Sequence, residues 1–208
     1  MNADKIVAYM LSKGYRLFDG ADCLNIVYME GSNPDGTKNV DRLDGWNDRR
    51  LLLTFNNGWR CIFNTSATTE PGAQATFSVE AAKRNGVARI AIGQHLEAWK
   101  IGFHKSKQYH PALIHCAPVS VYRDKNRDGL RTGDTVYTGL FGINQHGCPN
   151  ATPKNVGVWS EGCLVGQAWG MHLMFMTWLN RDPRVVDNPD FRFDTTIIDG
   201  NDFHNFKF

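Results

Sequence analysis

The stretch Gly142–Gly166, GINQHGCPNATPKNVGVWSEGCLVG, holds the residues best suited to chemistry. His146 stands before Gly147, and Cys163 follows Ser160-Glu161-Gly162. A thiol at its ordinary pKa is only slightly ionised at neutral pH, so a nucleophilic cysteine needs a base or a positive local field. His146 is the candidate base for Cys163. A glycine ahead of the nucleophile lets the backbone come close and take unusual dihedrals. The N–H groups of Gly162 and Cys163 could then point at an oxyanion forming on a carbonyl substrate. The positive end of a following helix would favour the thiolate. A packed thiol and a structural histidine fit the same residue types, and a cysteine with a distant histidine is a weak signal by itself.

Such a constellation needs elements that hold it. Residues 3–13 read as a short helix that ends at Gly14, and Leu24–Met29 as a short apolar strand. Residues 30–50 are polar and rich in Asn, Asp and Gly, which predicts a loop. From Arg50 the pattern is β. Leu51–Phe55 and Trp59–Asn64 flank the turn signal Asn56-Asn57-Gly58, and the alternating run Ala75–Val79 follows Thr69-Glu70-Pro71-Gly72. Further strands are predicted at Val87–Ile92, Ala98–Gly102, Ala112–His115, Val119–Arg123 and Thr135–Ile143, and a strand run ends at His146-Gly147. One strong helix is expected over Ala168–Asn180; it is apolar nearly all round, hence largely buried, with Pro183 beyond it as a stop. The expected fold is mainly β, a compact sandwich or closed sheet, with one buried helix after the nucleophile and a short helical N-terminal extension.

His146-Gly147, the loop 148–159 and Ser160-x-Gly162-Cys163 together resemble the active-site signature of the L,D-transpeptidase catalytic domain. That family has His-Gly, a loop of similar length and Ser/Thr-His-Gly-Cys. It also has a β-hairpin, a Thr-Pro-x-Gly loop and a further strand upstream, and Leu51–Asn64, Thr69–Gly72 and Ala75–Val79 are similar in order and spacing. The similarity spans roughly residues 48–180. It implies an L,D-transpeptidase-like catalytic domain over 48–208, with 1–47 as an extension packed on it. It further implies that Cys163 attacks an amide carbonyl of a peptidoglycan stem peptide, forming a thioester, while His146 takes the thiol proton. The Gly147 carbonyl would orient the imidazole, the Gly162 and Cys163 N–H groups would form the oxyanion hole, and Ser160 would hold the loop. Glu161, Trp159, His110 and Asn144 are expected to line the substrate groove. Two positions depart from the pattern. Glu161 stands where the family has His, and Val165 where it commonly has Arg or Asn. A carboxylate at 161 opposes thiolate formation unless it points away. Losing those polar groups harms acceptor handling more than acylation, so hydrolysis is expected over cross-linking.

Other residues offer rival chemistry. His146, Cys148, Cys163 and His172 supply four plausible zinc ligands, though not in a compact ligand spacing. Cys148 is an alternative thiol, expected to be resolving or structural. His95, His104, His110 and His115 surround Trp99 and the Lys105–Lys107 segment, and are either groove residues or ordinary strand and turn residues. Asp124, Asn126 and Asp128, followed by Gly129, have the alternating oxygens that open a calcium loop, although Thr135 stands where an acidic ligand would close it. An Asx-rich turn fits the same residues. The chemistry requires no cofactor; a structural calcium at the Asp124 loop is the ion carried forward as an expectation.

The bulk properties exclude several classes. At 208 residues the chain suits one domain, and 42% hydrophobic residues suit a globular core. With 23 basic and 21 acidic residues it has no basic stripe for a nucleic acid. Five cysteines, an odd number, do not suggest a disulfide scaffold. The apolar run around Met171–Leu179 is too short for membrane insertion. The N-terminal stretch carries early acids and no long apolar run, so no signal peptide is expected. The protein is then made in the cytoplasm and reaches the wall by another route, such as phage lysis. The alternatives are a phage-type cell-wall lysin using the same site, and a catalytically inactive wall-binding or virion structural module.

Overall fold

A computed structural model describes residues 3–208, the side chain of Ser106 excepted. Met1 and Asn2, the first positions of the predicted extension, lie outside the described residues. The strands are β1 (Asn25–Met29), β2 (Asp48–Phe55), β3 (Trp59–Thr68), β4 (Val87–Ile90), β5 (Gly93–Phe103), β6 (Pro111–His115), β7 (Val119–Asp124), β8 (Thr135–Gly139), β9 (Gln145–Gly147), β10 (Leu164–Gly166) and β11 (Phe193–Ile198). The helices are α1 (Ala3–Ser12), α2 (Ala73–Thr76), α3 (Val79–Lys83), α4 (Trp169–Asn180), α5 (Pro183–Asp187) and α6 (Gly200–Asn205).

Eight strands close into a mixed barrel in the order β1-β11-β5-β6-β9-β10-β3-β2, and β4-β7-β8 form a separate three-stranded sheet. The β1–β11 and β9–β10 pairs are parallel. The β2–β3 hairpin forms where expected: Asn57 and Gly58 both take positive φ, as a tight turn between twisted strands needs. The continuous apolar run of β1 reflects burial on both faces. Ile26 and Tyr28 join the barrel core with Leu52, Trp99, Leu113, Leu164 and Phe193. Val27 and Met29 face the other way, into a second cluster with Ile6, Val7 and Met10 of α1 and Phe203 of α6. Residues 1–47 thus contribute a barrel strand.

Several expectations change. Ala75–Val79 is no strand: α2 covers its start and α3 begins at Val79, with the Ser78 Oγ accepting from the Ala81 N–H at 3.0 Å as an N-cap. β2 begins at Asp48, inside the predicted loop, and β8 stops at Gly139, short of Ile143. α4 is not buried all round. It buries His172, Phe175, Met176 and Leu179, a single i, i+3, i+4, i+7 stripe, while Leu173 and Met174 are exposed. Pro183 stops α4 by opening α5 at its first turn.

A buried polar network ties the loops beside the barrel together. Arg131 grips Glu30 with both terminal nitrogens. Arg89 reaches Glu70 and, at 2.9 Å, Asp41. Asp48 accepts from the Gly31 N–H at 3.1 Å and the Thr69 N–H at 2.7 Å. The Thr69 hydroxyl lies 2.7 Å from Glu30 and 2.8 Å from Asp48. That hydroxyl has one proton to give, so a protonated Asp48 donating to it completes both contacts. Burial first, then Glu30 and Asp41, raises Asp48 to about 8; burial and Asp48 raise Glu70 to about 10.

Candidate active site

The parallel β9–β10 pair builds the site. Leu164 lies opposite Gln145 and Val165 opposite His146, which sets Cys163, just ahead of β10, beside Asn144. In a parallel pair, facing residues share a side of the sheet. Leu164 and Gln145 enter the barrel, where Gln145 donates to the Thr195 hydroxyl at 2.7 Å. Cys163 and His146 fall on the other side, where they line one cleft of about 520 Å³ with Asn144, Trp159, Glu161 and His104.

Ser160 ties together the loop that carries Cys163. Its hydroxyl donates to the Cys163 carbonyl at 2.8 Å and accepts from the Gly162 N–H at 3.1 Å. Gly162 takes φ 124°, and a Cβ there would lie 2.5 Å from the Ala88 carbonyl oxygen. Two expectations fail here. The Gly162 N–H is committed to Ser160 and is not a ready oxyanion donor; the Cys163 N–H finds no acceptor among the described residues and is available. β10 and then Gln167 and Ala168 stand between Cys163 and α4, so the helix does not begin at the cysteine.

The carbonyl of Gly147 fixes two tautomers. His146 Nδ1 lies 2.9 Å from it and His110 Nε2 3.1 Å from it. A carbonyl only accepts, so both nitrogens carry protons. His146 therefore keeps its lone pair on Nε2. Gly147 must be glycine, because a Cβ would sit 2.5 Å from that of His172. His104 stacks on His146, ring centroids 4.1 Å apart, and His110 meets it edge-on at 5.2 Å. Burial, aided by His104, lowers His146 to about 3, and burial raises Cys163 to about 11 against a hydrogen bond from the Asn144 backbone and the charge of Lys105. At neutral pH the two groups rest as thiol and neutral imidazole. No family model matches this chain, and no curated protein matches it.

The remaining candidates separate cleanly. Trp159 and Glu161 line the cleft, and Glu161 lies 3.7 Å from Arg84 at the exposed rim. His110 stands behind the His146 imidazole rather than in the cleft. His95 and His115 pack against Trp99 in the core, at 6.1 and 5.9 Å between rings. His104 belongs with the site; its only sequence signal was its place in the histidine-rich hairpin. Cys148 is buried and its thiol raised to about 12. The Asp124 carboxylate accepts from the N–H groups of Asp128 (3.1 Å) and Gly129 (2.9 Å), and Asn126 donates to Asp128 at 2.8 Å, the bonds of an Asx turn. Among the described residues no three His, Cys, Asp or Glu side chains are grouped to hold a metal ion, and no helix is long and apolar enough to cross a membrane.

Proposed function

We propose that the protein is a cysteine-dependent acyl-transfer enzyme acting on peptide amides of peptidoglycan stem peptides. The observation that carries the chemistry is the Gly147 carbonyl, which pins the proton of His146 to Nδ1 and leaves Nε2 basic in the cleft shared with Cys163. The substrate class rests on the resemblance of His146-Gly147 and Ser160-x-Gly162-Cys163 to the L,D-transpeptidase signature.

Substrate entry brings the scissile carbonyl to Cys163. The Sγ forms a bond to the carbonyl carbon, the C=O π pair moves onto oxygen, and the thiol proton passes to His146 Nε2. The Cys163 N–H donates to the oxyanion. The pair then returns, the C–N bond breaks, and the leaving amine takes the proton from His146, leaving a thioester. Water, deprotonated by the same nitrogen, attacks the thioester carbon; the C–S bond then breaks, the proton on His146 returns to Cys163 Sγ, and the acid is released. We infer hydrolysis over cross-linking because Val165 is apolar and buried, and Glu161 puts a carboxylate on the cleft rim where the resembled family has His, so the polar groups that family places beside the cysteine are missing. A phage-type wall lysin would use this route unchanged.

The test is incubation with purified muropeptides and mass analysis. The wild-type protein should release a shortened stem peptide, and Cys163→Ala should abolish that release while melting as the wild type does. Full turnover by Cys163→Ala would remove the assignment. Mainly cross-linked product in the presence of excess amine would overturn hydrolysis alone.

A further inference from the structure

We propose that His104 is a further catalytic residue, donating its Nε2–H to the oxyanion formed at the substrate carbonyl; this rests on the acyl-transfer reading of Cys163. The acylation step needs donors aimed at the oxygen that gains the electron pair. The Gly162 N–H is already given to Ser160, so the backbone offers the Cys163 N–H alone.

A chain of hydrogen bonds with one unambiguous end sets the proton on His104. The backbone N–H of His115 can only donate, and it donates to Asn144 Oδ1 at 3.0 Å. That fixes the orientation of the Asn144 amide. Its Nδ2 therefore donates, to His104 Nδ1 at 3.1 Å. A neutral imidazole that accepts at Nδ1 carries its proton on Nε2. Burial, then His110 and the two nearby lysines, lowers His104 to about 4, which keeps the ring neutral at working pH. The Nε2 finds no acceptor among the described residues, and it is not sealed away as a buried orphan. His104 lines the cleft with Cys163 and His146. The stacked rings thus divide the work: one presents a lone pair, the other an N–H. A neutral imidazole N–H is a very weak acid, so it stabilises the oxyanion as a hydrogen-bond donor and keeps its proton.

The backbone holds this ring in place. His104 N donates to His110 O at 2.8 Å and its own carbonyl accepts from Lys107 N at 3.1 Å, closing the end of the β5–β6 hairpin.

The experiment compares two reactions of Cys163. p-Nitrophenyl acetate acylates the thiol through an oxyanion, with loss of p-nitrophenolate; iodoacetamide alkylates it by displacement of iodide, with no oxyanion. His104→Phe retains ring stacking and bulk but has no N–H, and His104→Gln retains a side-chain N–H. Acylation of His104→Phe, followed by mass, should fall about a hundredfold, the usual effect of losing one oxyanion donor. Its alkylation rate should match the wild type, and His104→Gln should recover much of the acylation. Wild-type acylation by His104→Phe would overturn the inference. So would equal loss of both reactions, which would mean that the ring acts by holding His146. A wild-type protein that forms no thioester would instead sink the acyl-transfer reading itself, and this inference with it.

Discussion

A thiol raised to about 11 beside an imidazole lowered to about 3 cannot rest as an ion pair. On the proposed reading the proton moves only when the substrate arrives, with His146 as the general base. This gives a prediction about the free protein. Iodoacetamide captures the thiolate, so alkylation of Cys163 should accelerate with pH, about tenfold per unit through the neutral range. A preformed ion pair would instead give a rate flat from acid to neutral pH, and a flat profile by mass spectrometry would refute the neutral-pair description. The spacing of His146-Gly147 and Gly162-Cys163 paired these two residues in the sequence, and the fold brings both to one cleft. The commitment of the Gly162 N–H to Ser160 was not legible there, since a hydrogen bond two residues back leaves no trace in residue types.

The elements show why the loop holding Cys163 is rigid. Gly72 donates its N–H to the Ser160 carbonyl at 2.9 Å, and a Cβ there would lie 1.9 Å from the Gly157 carbonyl oxygen. Asp44 closes the same junction. Its carboxylate accepts from the N–H groups of Gly157 (2.6 Å) and Ala73 (3.1 Å), and its own φ is 66°. Asp44→Ala loses two charge-assisted hydrogen bonds at a half-buried site, which should cost about 2–3 kcal/mol. Thermal melting checks it; an unchanged Tm would show that Asp44 does not clamp the loop. The hairpin and α4 were readable because turn residues and period are local signals. β11 was not. Phe193-Asp194-Thr195-Thr196 reads as polar, yet the strand is buried because its polar groups find distant partners, Asp194 in Arg16 at 2.7 Å and Thr195 in Gln145. Ala75–Val79 misled for the opposite reason. Its short alternation suits a strand, but Ser78 offers a helix cap and the buried Gly72 junction ends the sheet first.

Across the whole molecule the buried carboxyls and imidazoles set opposite slopes on stability. Asp48 and Glu70, raised to about 8 and 10, keep protons in the folded state that an unfolded carboxyl loses near pH 4. Their contribution is full below that pH and is lost as pH rises through the folded values. His146 and His104, lowered to about 3 and 4, act the other way: unfolded histidines take up protons below about pH 6.5 that the folded rings refuse. Above that point the carboxyl slope remains, joined toward pH 9 by the raised thiols of Cys163 and Cys148, which keep protons that unfolded thiols lose, so the Tm should fall between pH 7 and 9. Asp48→Asn, which mimics the protonated acid, should flatten the fall. A Tm that holds steady or rises over this range in the wild type would show the network fully ionised. The barrel's closure has a kinetic consequence as well. β1 meets β11 across nearly the whole chain, and β11 also pairs with β5. Such distant pairings form late and slow folding. Until they form, β1 and β5 carry unpaired edges able to recruit strands from other chains. Cleavage ahead of Phe193 would make that exposure permanent, so aggregation rather than a smaller active core should follow proteolysis there.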